Sequence, residues 1–216
     1  MKKTFLRSAV IALAGVGLMA GSAGATPILT ISDGSSTVTI QDGVGNSLDG
    51  IISYSGSIGA WDVTMSLASS YPAIGTLGAP EMHLTGSSVA LTDGGTLTFT
   101  FEDKFSSWNN DLDGLISSFG GYGSGNVTFS TYLDDVQLAN FGPVSGAFSD
   151  SMVSMVVPDY PDDYILKIVG VIDNPASGLA TSFDGGIAPV PEPATMLLFG
   201  TGLAGLAGVV RKKKKQ

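Results

Sequence analysis

Short runs in which apolar and polar residues alternate recur through the middle of the chain. They cover residues 61–67, 97–101 and 127–133, with an apolar residue at every second position except for Thr131. That period of two is typical of β-strands with one buried face. Residues 164–172 are apolar on both faces except for Lys167, which predicts a central strand of a sheet.

Clusters of glycine, serine, aspartate and proline separate these runs. Such clusters are typical of turns and loops, and they fall at residues 33–34, 42–43, 93–95, 119–125 and 158–163. Several short strands with this punctuation predict an all-β fold, namely an antiparallel β-sandwich that spans residues 26–187. A helix is compatible with the pattern only at residues 112–119.

The first 25 residues have the three parts of a secretory signal peptide. Three basic residues lie within the first seven, and residues 9–20 are an apolar run too short to span a bilayer. Ala23-Gly24-Ala25 then supplies the small residues of a signal peptidase site, so we expect the mature chain to begin at Thr26. The short apolar run argues against the alternative, an uncleaved N-terminal anchor.

The C-terminal segment has the features of a membrane anchor. The apolar residues 194–210 are just long enough for one transmembrane helix. Before this span, Pro191 and Pro193 fix the backbone around Glu192 into a rigid, extended tripeptide suited to recognition by a membrane enzyme. Because moving several cations across a bilayer is costly, we expect the basic cluster after the span to stay in the cytoplasm; it consists of Arg211, Lys212, Lys213, Lys214 and Lys215.

In this order, Pro191-Glu192-Pro193, the apolar span and the basic tail resemble the PEP-CTERM sorting domain, which is also called the ice-binding protein C-terminal domain. We assign residues 188–216 to this segment. The resemblance implies processing by an exosortase near the tripeptide, in a Gram-negative bacterium that makes exopolysaccharide. More loosely, residues 57–61, 94–99 and 181–184 resemble an ectodomain that recurs among PEP-CTERM proteins and that implies no particular activity.

Charge is distributed unevenly along the chain. The whole chain has a net charge of −9, whereas residues 26–190 hold 18 acidic residues and only two lysines, for a net charge of −16. A domain this acidic repels nucleic acid and attracts cations, so we expect no nucleic-acid partner. The same charge also keeps a surface protein soluble. The sequence has no cysteine, so no disulfide bond stabilises the fold.

Few residues are suited to catalysis. His83 is the only histidine, and the absence of cysteine excludes a thiol nucleophile. A Ser-His-Asp triad would need His83, which has no nucleophile-elbow motif nearby. Glu81 and Glu102 are the only glutamates of residues 26–190, and the sequence does not fix the separation that glycoside hydrolysis requires. We therefore expect a protein that is not an enzyme, and an envelope hydrolase is the least favoured alternative.

One loop resembles part of a calcium site. Asn109, Asp111 and Asp113 place oxygen ligands at alternate positions before a glycine, like the first half of an EF-type calcium loop. The twelfth position is Gly120 instead of glutamate, so a turn that binds no ion is the alternative. Residues 159–163 form a second acidic loop with the same two interpretations.

Aromatic residues in the predicted loops are candidates for sugar binding. Trp108, Tyr122 and Tyr160 fall in these loops, where their rings can stack on sugars. Trp61 lies in an alternating run, so we expect it in the core.

Together these features predict a secreted, surface-displayed envelope or extracellular-matrix protein without enzymatic activity. Signal peptidase and an exosortase are its expected processing partners, and the C-terminal helix is expected to anchor the precursor in the inner membrane before the product reaches the cell surface or the medium. The alternative is a module that binds extracellular polysaccharide or calcium. No cofactor other than calcium is expected.

Overall fold

A computed structural model describes residues 26–44, 49–92, 94–106, 108–109, 112, 114–155, 163–190 and 201. Within this part of the chain every regular element is a β-strand, and the paired strands run antiparallel. The predicted all-β, antiparallel fold is therefore confirmed. The described residues include no helix with the length and hydropathy that a bilayer span requires. The signal peptide predicted at residues 1–25 lies outside them, as does the span predicted at 194–210 except for Thr201.

Ten strands follow one another along the described part of the chain. In order they are β1 (Ile28–Ser32), β2 (Thr37–Gln41), β3 (Ile51–Ile58), β4 (Trp61–Ser69), β5 (Met82–Ala90), β6 (Gly95–Ser106), β7 (Gly114–Leu133), β8 (Val136–Met155), β9 (Asp163–Asn174) and β10 (Ala180–Pro189). The three alternating runs lie in β4, β6 and β7, as predicted. The apolar run at 164–172 lies in β9, which has strands on both sides as predicted.

All ten strands belong to one hydrogen-bonded sheet with the order β2-β1-β6-β9-β7-β10-β5-β4-β3, and β8 pairs with β7 off this path. The long strand β7 joins two halves of the sheet. Its residues 126–133 pair with β9, whereas its residues 115–123 pair with β10. We call β2, β1, β6 and β9 the first half, and β10, β5, β4 and β3 the second half.

The two halves face each other around one apolar core. Phe99 of β6, in the first half, stacks on Phe183 of β10, in the second half, with ring centroids 4.4 Å apart. At the two ends of the sheet, a carboxylate oxygen of Asp42, just after β2, accepts a 2.7 Å hydrogen bond from the N–H of Gly50, just before β3. The predicted sandwich is therefore present as two facing halves of a single, nearly closed sheet.

Glycines inside the strands make room for aromatic rings. Gly170 of β9 lies opposite Phe99 on one neighbouring strand and Phe129 on the other. A Cβ atom at Gly170 would overlap the Phe99 ring, and one at Gly185 would overlap the Phe129 ring. Glycine within a strand is therefore a packing requirement here, because the core has no room for another side chain.

Strand β7 differs from the sequence-based expectations in two places. Residues 114–119 are strand, so the helix that the pattern allowed at 112–119 is not formed over these residues. The glycine-rich stretch at 119–125 continues the same strand, so the turn predicted there is wrong. At Gly121 a Cβ atom would collide with the backbone of Ser182 and lie 2.9 Å from the Cα atom of Phe183. This glycine therefore allows β10 to approach β7 closely. Glycine has a packing role here, and not the role in a turn that the sequence predicts.

Candidate functional site

The chain leaves the sheet directly at the predicted sorting tag. Strand β10 ends at Pro189, which lies opposite Leu115 of β7, and the N–H of Val190 donates a 2.9 Å hydrogen bond to the carbonyl oxygen of Gly114. Pro191 has no N–H and cannot extend this ladder. The tripeptide therefore begins immediately after a residue that is still bonded to the sheet, without a linker between domain and tag.

Most residues predicted to serve sorting and processing lie outside the described part of the chain. Of the signal cleavage site, Thr26 is described, two residues before β1, whereas Ala25 is not. The residues of the tag that are not described are Pro191, Glu192 and Pro193 and the basic cluster of Arg211, Lys212, Lys213, Lys214 and Lys215.

A polar cleft of about 460 Å³ opens beside strands β7, β8 and β10. In this register Gly120 of β7 lies between Asp184 of β10 and Ser149 of β8. Because side chains alternate along β7, the ring of Phe119 points to the core, whereas the neighbouring Ser118 and Gly120 face the surface. The polar cleft is lined by Ser118, Phe119, Gly120, Ser149, Asp150, Ser151 and Asp184.

An exposed His–Asp pair lies beside the polar cleft. Nε2 of His83 is 2.9 Å from Oδ2 of Asp184, and the hydroxyl of Thr85 donates a 2.7 Å hydrogen bond to the same carboxylate. Both partners of the pair are solvent-exposed, so the ion pair contributes little to stability. Within the described strands no hydroxyl is hydrogen-bonded to the imidazole of His83, so the geometry of a Ser-His-Asp triad is not assembled there.

The two glutamates considered for hydrolysis lie in different parts of the sheet. Glu81 immediately precedes β5 in the second half, whereas Glu102 lies on β6 in the first half, opposite Ile28 and Lys167. Neither glutamate lines the polar cleft. The described structure therefore does not gather His83, Glu81 and Glu102 into one site.

The predicted aromatic sites have different environments. Trp108 is only 7% exposed and packs edge-on against Tyr164, so this candidate presents no open ring face on which a sugar could stack. Tyr122 lies on strand β7 instead of in a loop, and it is 54% exposed on the same face as Gly120. Trp61 is buried in the core, as predicted. Tyr160 lies outside the described residues.

The predicted calcium loop is described only in part. The N–H of Asn109 donates to the carbonyl oxygen of Gly78 at 3.0 Å, and the carbonyl oxygen of Asn109 accepts from the N–H of Leu112 at 3.1 Å. Asp111 and Asp113, the other two proposed ligands, lie outside the described residues. In the part of the chain that can be described, no three histidine, aspartate or glutamate side chains form a group that could hold a metal ion.

A buried carboxylate on β6 was not among the candidates from the sequence. Asp103 is 2% exposed, and burial raises its pKa to about 6, assisted by the negative charge of Asp42, while hydrogen bonds act in the opposite direction. Asp103 follows Phe99 and Phe101 in the alternation of β6, at a position that points inward. An acidic residue at an apolar position of a strand is the signal that would have singled it out.

Comparison with known protein families identifies the C-terminal segment. The model of the PEP-CTERM protein-sorting motif matches residues 189–212. The chain carries a PEP-CTERM sorting motif. The match confirms the resemblance seen in the sequence, and it begins at the last residue of β10, so the PEP-CTERM motif follows the sheet directly.

Similarities to solved structures are weak. The β-glucosidase from Kluyveromyces marxianus in complex with glucose aligns over 52% of this chain and 14% of its own, with 13% identity and a TM-score of 0.34. TmCBM61 in complex with β-1,4-galactotriose aligns over 61% of this chain and 88% of its own, with 9% identity and a TM-score of 0.32. This chain thus spans about a seventh of the length of the β-glucosidase and most of the length of TmCBM61. A comparison with curated proteins finds no match.

Proposed function

We propose that this chain is a non-enzymatic envelope or extracellular-matrix protein that an exosortase sorts to the cell surface. The observation that carries the proposal is the PEP-CTERM motif at residues 189–212, joined directly to strand β10. In this proposal residues 1–25 are removed by signal peptidase between Ala25 and Thr26 during export. The acidic domain at residues 26–187 is then the part that is displayed.

Each part of the C-terminal segment has a physical role in this proposal. Residues 194–210 span the inner membrane, and the basic cluster after them stays in the cytoplasm because its charges cross the bilayer only at high cost. Pro191 and Pro193 keep Glu192 in an extended backbone that a helix cannot absorb. The exosortase therefore meets a rigid strand-like substrate between the folded domain and the bilayer.

The junction at β10 explains how cleavage spares the domain. Val190 is still hydrogen-bonded to Gly114, whereas Pro191 cannot donate to the sheet. A cut within or after the tripeptide therefore removes the membrane span without breaking any of the β10 pairs. The released or surface-attached product keeps its complete sheet.

Expression in Gram-negative hosts with and without an exosortase tests the proposal. The wild-type chain should leave the inner membrane only in the host that has the exosortase. The variant P191A/P193A should remain in the inner membrane, whereas the control Glu81→Gln, which lies in the domain, should be sorted like the wild type. Equal fractionation of the wild type in both hosts, or normal sorting of P191A/P193A, would contradict the proposal.

The polar cleft favours a second candidate function, namely binding of an extracellular polysaccharide. Sugars are held by hydrogen bonds to carboxylates and hydroxyls and by stacking on an exposed ring. The cleft offers Asp184 and three serines, and Tyr122 projects from the same face of β7 as its floor. The ligand would then lie across β10, β7 and β8.

Glycan-array binding of the sorted protein, followed by titration of any ligand found, tests this candidate. Asp184→Asn and Tyr122→Ala should each weaken binding about tenfold, which corresponds to about 1.4 kcal/mol. Asp62→Asn, an exposed aspartate on β4, is the control and should bind like the wild type. Lack of retention on every glycan would remove this candidate and leave the sorting proposal unaffected.

A further inference from the structure

Asp103 lies in a buried pocket of hydrogen-bond donors that carry no charge. The hydroxyl of Ser70 donates to Oδ2 of Asp103 at 2.6 Å, and the N–H of Lys104 donates to Oδ1 at 2.8 Å. Asp42, also buried, adds a second negative charge nearby and is itself held by two backbone N–H groups. Two carboxylates are therefore buried near each other at this end of the sheet, and neutral donors alone compensate poorly for such charges.

The basic side chains of the domain are all engaged elsewhere. Residues 26–190 contain three groups able to carry a positive charge, Lys104, Lys167 and His83. Nζ of Lys104 lies 2.7 Å from the carboxylate of Asp163, and Nζ of Lys167 lies 5.1 Å from the centre of the Tyr132 ring. His83 pairs with Asp184 beside the polar cleft. No basic side chain of the described residues is thus placed to neutralise Asp103.

The first described residues of the chain lie against Asp103. The pairing of β1 with β6 begins at Ile28, opposite Glu102, so extending this antiparallel register by two residues places Pro27 and Thr26 beside Asp103 and Lys104. The N–H of Thr26 donates a hydrogen bond to the Asp103 carboxylate. A cavity of about 110 Å³ adjoins this contact, lined by Thr26, Ile28, Glu102, Asp103, Lys104 and Ile165.

The segment is also fixed from its other side. The N–H of Asp42 donates a 3.1 Å hydrogen bond to the carbonyl oxygen of Pro27. Pro27 further restricts the backbone, because its ring fixes φ. The nitrogen of Thr26 is therefore held against Asp103 by strand pairing and by a neighbouring turn, not by the contact with the carboxylate alone.

We propose that Asp103 is the binding site of the α-ammonium group that signal cleavage creates on Thr26. The inference rests on the export and cleavage proposed above. Hydrolysis adds water across the Ala25–Thr26 bond, which leaves a carboxylate on Ala25 and turns the amide nitrogen of Thr26 into an ammonium. In the precursor the nitrogen of Thr26 is a neutral amide that donates one hydrogen bond to Asp103. After cleavage the same nitrogen carries the positive charge that the pocket of Asp103 lacks.

This arrangement couples processing to stability. Before cleavage the ionised Asp103 is buried without a cationic partner, which disfavours the folded state. After cleavage the same carboxylate forms a charge-assisted hydrogen bond, which is shorter and stronger than one between neutral groups. The domain therefore reaches its full stability only after the signal peptide has been removed.

A double-mutant cycle on the full chain tests the inference. Insertion of Ser-Gly between Ala25 and Thr26 retains the cleavage site but moves the new ammonium two residues away from Asp103. We expect the insertion to raise the unfolding equilibrium constant of the processed protein at least tenfold at pH 7. In the Asp103→Asn background the insertion should change that constant less than twofold, whereas in the control Asp62→Asn background the tenfold effect should persist.

Two results of this cycle would overturn the inference. One is an insertion effect of the same size with and without Asp103, which would show that the ammonium acts on another group. The other is a wild-type N-terminus that sequencing places at a residue other than Thr26. That second result would refute the processing step on which the inference rests, and it would leave sorting through the C-terminal motif untouched.

A second measurement does not depend on the folding of Asp103→Asn. Threonine labelled with ¹³C and ¹⁵N allows the α-amino group of Thr26 to be titrated by NMR in the processed protein. A nearby carboxylate raises the pKa of an amine, so the pKa should lie above the usual value of about 8. The inserted terminus should titrate at the usual value, and equal titration of the two termini would contradict the inference.

Discussion

The buried carboxylate of Asp103 gives the fold a pH dependence that is measurable in the Ser-Gly insertion variant, in which Thr26 keeps its peptide N–H. Burial raises the pKa of Asp103 to about 6 from its ordinary value of 3.8. The carboxyl group of Asp103 thus holds its proton more tightly in the folded protein than in the unfolded chain, so protonation of Asp103 stabilises the fold. The stabilisation is fully present below about pH 4 and is lost as the pH rises through about 6.

The size of the effect follows from the difference between the two pKa values. A difference of about two pKa units corresponds to about 3 kcal/mol in the free energy of unfolding. The Asp103→Asn variant has no such proton. The free energy of unfolding of the insertion variant, minus that of the same chain with Asp103→Asn, should therefore fall by about 2 kcal/mol between pH 4 and pH 7, because the rest of the effect lies below pH 4.

Urea unfolding at both pH values, followed by the fluorescence of the buried Trp61 and Trp108, measures this difference. The subtraction cancels acidic groups that titrate in both proteins, such as Asp33, whose pKa is lowered by hydrogen bonds from Ser36 and Ser35. A difference that stays constant within about 0.5 kcal/mol would refute the reasoning. In the processed protein that begins at Thr26 the fall should be smaller, because the ammonium favours the ionised carboxylate.

Two further predictions concern packing and calcium. In urea unfolding, Gly170→Ala should lower the free energy of unfolding by about 1–3 kcal/mol, because the added methyl group would overlap the Phe99 ring. The control Gly120→Ala should change the free energy of unfolding by less than about 0.5 kcal/mol, because the nearest neighbour of its added methyl group would be 3.6 Å away. Calcium binding at residues 109–113 predicts that millimolar calcium raises the Tm of the wild type but not of Asp111→Asn; an unchanged Tm of the wild type in calorimetry would reject the calcium hypothesis.

Strands with one buried face could be predicted from the sequence because their signal is local. In β4 and β6 the runs at residues 61–67 and 97–101 have an apolar residue at every second position, and each run is short enough to be recognised without its partners. Strand β7 could not be predicted over its first ten residues. Its glycines have the composition of a turn, but Gly121 is required by the close approach of β10, which lies about 60 residues further along the chain.

The candidate sites were harder to predict than the fold, because their groups come from distant parts of the chain. Thr85 and Asp184 are separated by 99 residues and meet only because β5 pairs with β10. Ser70 and Asp103 are 33 residues apart and meet in the core. By contrast, the PEP-CTERM motif is a contiguous segment, so the sequence alone was enough to recognise it.

The intact mass of the protein recovered outside the inner membrane of an exosortase-containing host tests the central claim most directly. The proposed sorting predicts a chain that begins at Thr26, ends close to the tripeptide at 191–193 and lacks residues 194–216. A recovered chain whose mass still includes the basic cluster at 211–215 would contradict it.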